Sequence, residues 1–150
     1  MRSRRTIAIM IAALATTLSP LAQAQEGRSG QRALEGSWRV TVRQDPPPPN
    51  VPPVFEVLLT YANGGGVHDS HGSHGEWAHA TGASFDTTLF KVIDQQGTLF
   101  QVTIREKVTM LNQDEYTSQD RVEIADANGF VVFAYDSTTH GRRIKVNPIP

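Results

Sequence analysis

The chain has 150 residues, with 14 Lys+Arg against 15 Asp+Glu for a formal net charge of −1, and no cysteine. A near-neutral chain without a basic stripe is a poor partner for nucleic acid or anionic lipid. The lack of cysteine excludes disulfides, thiol nucleophiles, thiolate zinc sites and iron–sulfur clusters, so core packing must hold the fold together.

Met1 to Gln25 carries the three parts of a secretory signal. Arg2, Arg4 and Arg5 make a basic start, Ile7 to Leu18 an apolar core, and Ala22-Gln23-Ala24 an A-x-A cleavage site. The apolar core is short for a bilayer span, so no stable membrane span is expected after cleavage. The expected organisation is a signal peptide at 1–24, a flexible lead-in at 25–32 and one domain at 33–150, exported to the periplasm or secreted. Cleavage removes three arginines and no acid, which moves the formal charge from −1 to −4.

Short segments of period-two alternation follow. Ser37 to Arg43 sets Trp38, Val40 and Val42 against Arg39, Thr41 and Arg43, and Val54 to Tyr61 puts Phe55, Val57, Leu59 and Tyr61 on one face. Between them Pro46 to Pro53 (PPPPNVPP) cannot join a ladder and predicts a stiff loop over one end of the fold. Further strands are expected at Glu76–Thr81, Ser84–Ile93, Thr98–Met110, Glu115–Ile124, Phe130–Tyr135 and Arg142–Val146. A bulge is expected within Ser84–Ile93, where Phe85, Leu89 and Phe90 do not share a face. Turn residues such as Asn63-Gly64 and Asn128-Gly129 separate the strands. No 3.6-residue apolar stripe appears beyond the signal. Eight strands in a meander predict an all-β, antiparallel up-and-down barrel, since closure removes both exposed edges.

The stretch Leu34-Glu35-Gly36-Ser37-Trp38-Arg39-Val40 resembles the first strand of lipocalin-like proteins, where a Gly-x-Trp opens an eight-stranded calycin barrel. The order Leu59-Thr60-Tyr61, Gly64-Gly65-Gly66, His74-Gly75-Glu76-Trp77, Asp126-Ala127-Asn128-Gly129 and Gly141-Arg142-Arg143-Ile144 is similar to small exported bacterial members of that group. The lipocalin C-terminal helix has no counterpart. The resemblance implies a barrel whose apolar cavity binds a small hydrophobic molecule and, in some members, catalyses cyclisation, isomerisation or lyase chemistry.

Val67 to His79 (VHDSHGSHGEWAH) holds four of the five histidines. His68, His71 and His74 form an H-x-x-H-x-x-H series that can supply three imidazole ligands to zinc or copper, with Asp69 or Glu76 as an oxygen donor. The glycines around them equally fit a solvated loop whose rings touch nothing. His79 shares a strand face with Trp77, and Asp120 interrupts the apolar face of Tyr116, Val122 and Ile124. The two are candidates for an acid–base pair in an apolar cavity; the competing expectation pairs Asp120 with Arg121 or Arg143. No G-x-S-x-G elbow and no phosphate-cradling glycine loop is present.

Three readings stay open. One is a module that binds a small hydrophobic molecule, with Phe55, Tyr61, Trp77 and Phe100 as apolar wall and Ser118, His79 or Asp120 orienting the ligand. The second is a barrel enzyme using His79 and Asp120. The third is metal binding through His68, His71 and His74.

Overall fold

A computed structural model describes residues 33–49 and 51–145; the expected signal peptide and lead-in lie outside the described residues. Eight strands run in chain order: β1 (Gly36–Asp45), β2 (Val54–Tyr61), β3 (Gly66–Asp69), β4 (His74–Thr81), β5 (Ser84–Gln95), β6 (Thr98–Asn112), β7 (Glu115–Ala125) and β8 (Val131–Arg143). Each is antiparallel to its neighbours, and β1 pairs with β8 from Trp38↔Arg143 to Asp45↔Asp136, which closes the barrel. No helix occurs among the described residues.

The number of strands matches the expectation, but two of them differ. Gly66–Asp69 is a strand, β3, within a stretch that reads as loop, because four residues are too few to show alternation. Conversely, Phe130–Tyr135 and Arg142–Val146 are not two strands. β8 runs unbroken through Asp136–Gly141, and Val146 lies outside the described residues. That central part is polar and mimics a connector, yet its alternate residues Ser137, Thr139 and Gly141 are buried on the inner face. Gly141 is required there by space. A Cβ would come within 2.2 Å of the Tyr116 ring, its cross-strand neighbour.

The bulge expected in β5 is absent. β5 pairs with β6 in continuous register from Ser84↔Thr109 to Gln95↔Thr98, and Phe90 simply faces outward. Irregularities fall instead in β4 between His79 and Thr81, near the end of β6 between Met110 and Asn112, and near the end of β7.

One end of the barrel is filled by aromatic side chains. Trp38 meets Tyr116 edge-on at 4.9 Å, Tyr61 meets both Tyr116 and Trp77, and Trp77 meets Phe85 at 5.8 Å. Each indole N–H is satisfied: Trp38 donates to Leu34 O, and Trp77 to the carbonyls of Ala62 and Gly66. The Arg143 guanidinium lies 4.2 Å over the Trp38 ring and donates to the carbonyls of Ala33, Glu35 and Gln113. It thereby ties the last strand to the chain entering the first.

Gly141→Ala should destabilise the barrel by about 1–3 kcal/mol through overpacking against Tyr116. A urea titration is expected to show a lower midpoint at unchanged slope. A midpoint equal to wild type would remove the steric account of this glycine.

Candidate ligand-binding cavity

The other end is not filled. A cavity of about 1260 Å³ opens there, with Val57, Leu59, Leu89, Ile104, Val122 and Ile124 among its walls. Its mouth is bordered by Pro48, Pro49, Val51 and Pro52 of the β1–β2 connection, by His71, and by Phe133 of β8. Pro52 and Pro53 offer no N–H of their own, but the Gln44 N–H donates to Pro53 O at 2.9 Å and anchors the loop to the barrel.

A rank of buried polar side chains crosses this interior. Strand register sets Gln44 beside Ser137, Ser137 beside Asp120, Asp120 beside Glu106 and Glu106 beside Thr87, all buried. Asp120 accepts from the Ser118 and Ser137 hydroxyls, and Ser118 also bonds Thr139. Glu106 receives the Tyr61 hydroxyl at 3.5 Å from the aromatic end. Gln44 donates its amide N–H to Tyr135 Oη at 3.0 Å, while its Oε1 and the Thr87 hydroxyl have no partner among the described residues.

Burial first, and then the charge of Asp120, pushes the Glu106 carboxyl up to about 8. Burial raises Asp120 to about 6 against the pull of the Ser118 and Ser137 hydroxyls. Two adjacent carboxylates in an apolar enclosure hold a proton near neutral pH rather than both ionise. Such a pair can donate and accept a proton, and it can neutralise a cation.

The sequence-selected residues separate into four places. Phe55 and Phe100 line the cavity. Tyr61 and Trp77 do not; they belong to the packed aromatic end beneath it. Ser118 is buried against Asp120 and Thr139. His79 and Asp120 are not brought together: His79 stands three strands away with Nε2 2.8 Å from Gly82 O and its ring on Phe85. Asp120 bonds no arginine either. Arg121 pairs outside with Asp136, and Arg143 is taken up by Trp38 and carbonyls.

His68, His71 and His74 are not gathered at one point. His68 and His74 are cross-strand partners on the outer face with ring centroids 6.5 Å apart, whereas His71 turns to the cavity mouth beside Phe55. Among the described residues no group of three or more His, Asp or Glu is disposed around a common point that a metal ion could occupy. Asp69 has a local partner set instead: it accepts from the N–H groups of His71 and Ser73 and the Ser73 hydroxyl. Burial pushes its carboxyl up, but these bonds and the charge of Lys91 hold it below the usual range.

Glu106, Gln44, Ser137, Thr139 and Lys91 were missed. For Glu106 and Gln44 the signal was present as parity. Glu106 falls between Ile104 and Val108 on the inward set, and Gln44 extends Trp38, Val40 and Val42.

A shallower concavity of about 660 Å³ on the outer face of β5–β8 is lined by charged groups such as Arg105, Arg121 and Asp136. These pair within the surface, Arg121 with Asp136 at 3.0 Å and Arg105 with Glu123 at 2.6 Å.

No protein-family model matches the chain, and no curated protein matches it in sequence. Among solved structures, that of EF1p2_mFAP2b bound to DFHBI is similar at 14% identity over 75% of this chain and 95% of that one, with a TM-score of 0.44.

Because the folded-state pKa of Glu106 is raised, its contribution to stability is full at low pH and is lost as pH rises towards about 8. Glu106→Gln removes that ionisation. The melting temperature of the variant relative to wild type should therefore rise between about pH 5 and about pH 8, by several degrees. A constant difference across that range would show that Glu106 titrates as an exposed carboxyl does.

Proposed function

We propose that the barrel binds one small, largely apolar molecule, with its apolar part against Val57, Leu89, Ile104 and Val122 and its polar end on the Gln44–Glu106 rank. The observation that carries this reading is the cavity of about 1260 Å³, whose walls include Val57, Leu59, Leu89, Ile104, Val122 and Ile124 and on which Gln44, Ser137, Asp120 and Glu106 converge as buried polar groups. Ligand sites commonly pair such walls with a few convergent polar groups, and an eight-stranded barrel has room for one ligand. We further propose that the chain is a lipocalin-like protein, on the Gly36-x-Trp38 opening and the closed eight-stranded antiparallel meander. The Arg-rich start, apolar core and Ala22-Gln23-Ala24 site support export of the chain.

The reading predicts saturable binding of a neutral apolar reporter such as N-phenyl-1-naphthylamine, with enhanced fluorescence and one site per chain. Val122→Trp places an indole in the cavity wall and should weaken reporter binding at least about tenfold while the far-ultraviolet spectrum stays that of wild type. Undiminished binding in a folded Val122→Trp protein would place the reporter elsewhere and remove the support for this cavity.

A further inference from the structure

Resting on that reading, we propose that the ligand carries a basic amine, and that the barrel takes it as an alkylammonium whose N–H groups bind Glu106 and Asp120 on the cavity floor.

Three observations lead there. Glu106 and Asp120 are 8% and 6% exposed, are cross-strand neighbours, and both line the cavity. No Lys, Arg or His pairs with either among the described residues. A buried carboxylate without a cation or sufficient donors is costly, and a pair of them doubles the demand. The Ser118 and Ser137 hydroxyls and the Tyr61 hydroxyl supply neutral donors only. Separately, Gln44 is nine-tenths buried, lines the same cavity two positions along the rank, and leaves its Oε1 acceptor unpartnered. What this floor lacks is positive charge, which an ammonium group provides together with N–H donors.

The remaining charges agree with this polarity. Facing Glu106 are Asp120 from β7, Tyr61 from β2, Tyr116 from β7 and, further off, Asp69 from β3. Lys91 of β5 and His71 of the β3–β4 turn are the basic side chains on the cavity lining, and Lys91 acts on Asp69. An anionic head would meet two carboxylates at the floor. An alcohol would satisfy one acceptor without the charge. Folding has already desolvated the carboxylates, so binding leaves only the amine to be desolvated.

Protons compete for the same site. The empty pair retains a proton near neutral pH, and an ammonium displaces it to solvent. An alkylammonium, like a lysine, keeps its charge to about pH 10, so the titration belongs to the protein. Amine affinity should rise with pH as Asp120 and then Glu106 ionise.

The experiment is displacement of N-phenyl-1-naphthylamine from the wild-type chain by decylamine, decanol and decanoate at about pH 8 and about pH 5.5. Decylamine is expected to compete at least about tenfold better than decanol at the higher pH, with decanoate weakest. The amine preference should shrink at the lower pH, while decanol is unchanged. Glu106→Gln should cut the preference to within about threefold, and a far-ultraviolet spectrum equal to that of wild type reports that the variant is folded. Decanol or decanoate matching decylamine, or a preference that persists in both Glu106→Gln and Asp120→Asn, overturns the amine assignment and leaves the cavity reading standing. Failure of the reporter to bind wild type overturns the cavity reading itself.

Discussion

Pairing of β1 with β8 is the constraint from which the rest follows. Closing eight strands gives every residue of a strand either an inner or an outer address, and it encloses more volume than one layer of side chains must fill. The chain fills one end with Trp38, Tyr61, Trp77, Phe85 and Tyr116 and leaves the other open. The closure is fastened where the two terminal strands meet. There Arg143 stacks on Trp38, and Gly36, at φ +119°, leaves the space that a Cβ would take from the guanidinium. A residue with φ in that region is unstrained only as glycine.

Within this enclosure the polar rank is the costly element. Asp120 is accommodated by hydroxyls from its own strand and from β8, which explains why the middle of β8 is Ser, Thr and Gly rather than apolar. Glu106 receives less, a single tyrosine hydroxyl from the aromatic end. The two halves of the interior are thus coupled. The packed end positions Tyr61, Tyr61 meets Glu106, and Glu106 stands at the boundary between filled core and cavity. A fold optimised for packing alone would replace this rank with apolar side chains. Its presence in a cavity wall is the chief sign that the interior does something besides hold itself together.

Much of the architecture was legible in the chain. Alternation located six of the eight strands to within a few residues, and turn residues separated them. The two failures share a cause. β3 is too short to display a period, and the inward residues of β8 are small and polar because their neighbours are Asp120 and Tyr116. A pattern read along one strand has no access to what lies across from it. The aromatic residues show the same limit: parity placed Phe55, Tyr61, Trp77 and Phe100 inside together, but only strand register divides them between cavity wall and packed end. For the histidines, the spacing H-x-x-H-x-x-H allowed a metal cluster or a solvated loop, and strand pairing puts His68 and His74 on the outer face while the turn carries His71 to the cavity mouth.

Taken alone, the order of residues determined the strand class, the sense of alternation in β1, β2, β6 and β7, the expectation of a closed barrel and the presence of an acid, Asp120, on an inner face. Those are properties of local spacing, set by the two-residue period of the extended backbone. Only the tertiary structure decided that Asp120 meets Glu106 rather than His79, that one end of the interior is filled while the other is open, and that Gln44, Ser137, Asp120, Glu106 and Thr87 form one rank. Those depend on the register between strands distant in sequence, and register is fixed by closure of the whole sheet, not by any segment within it.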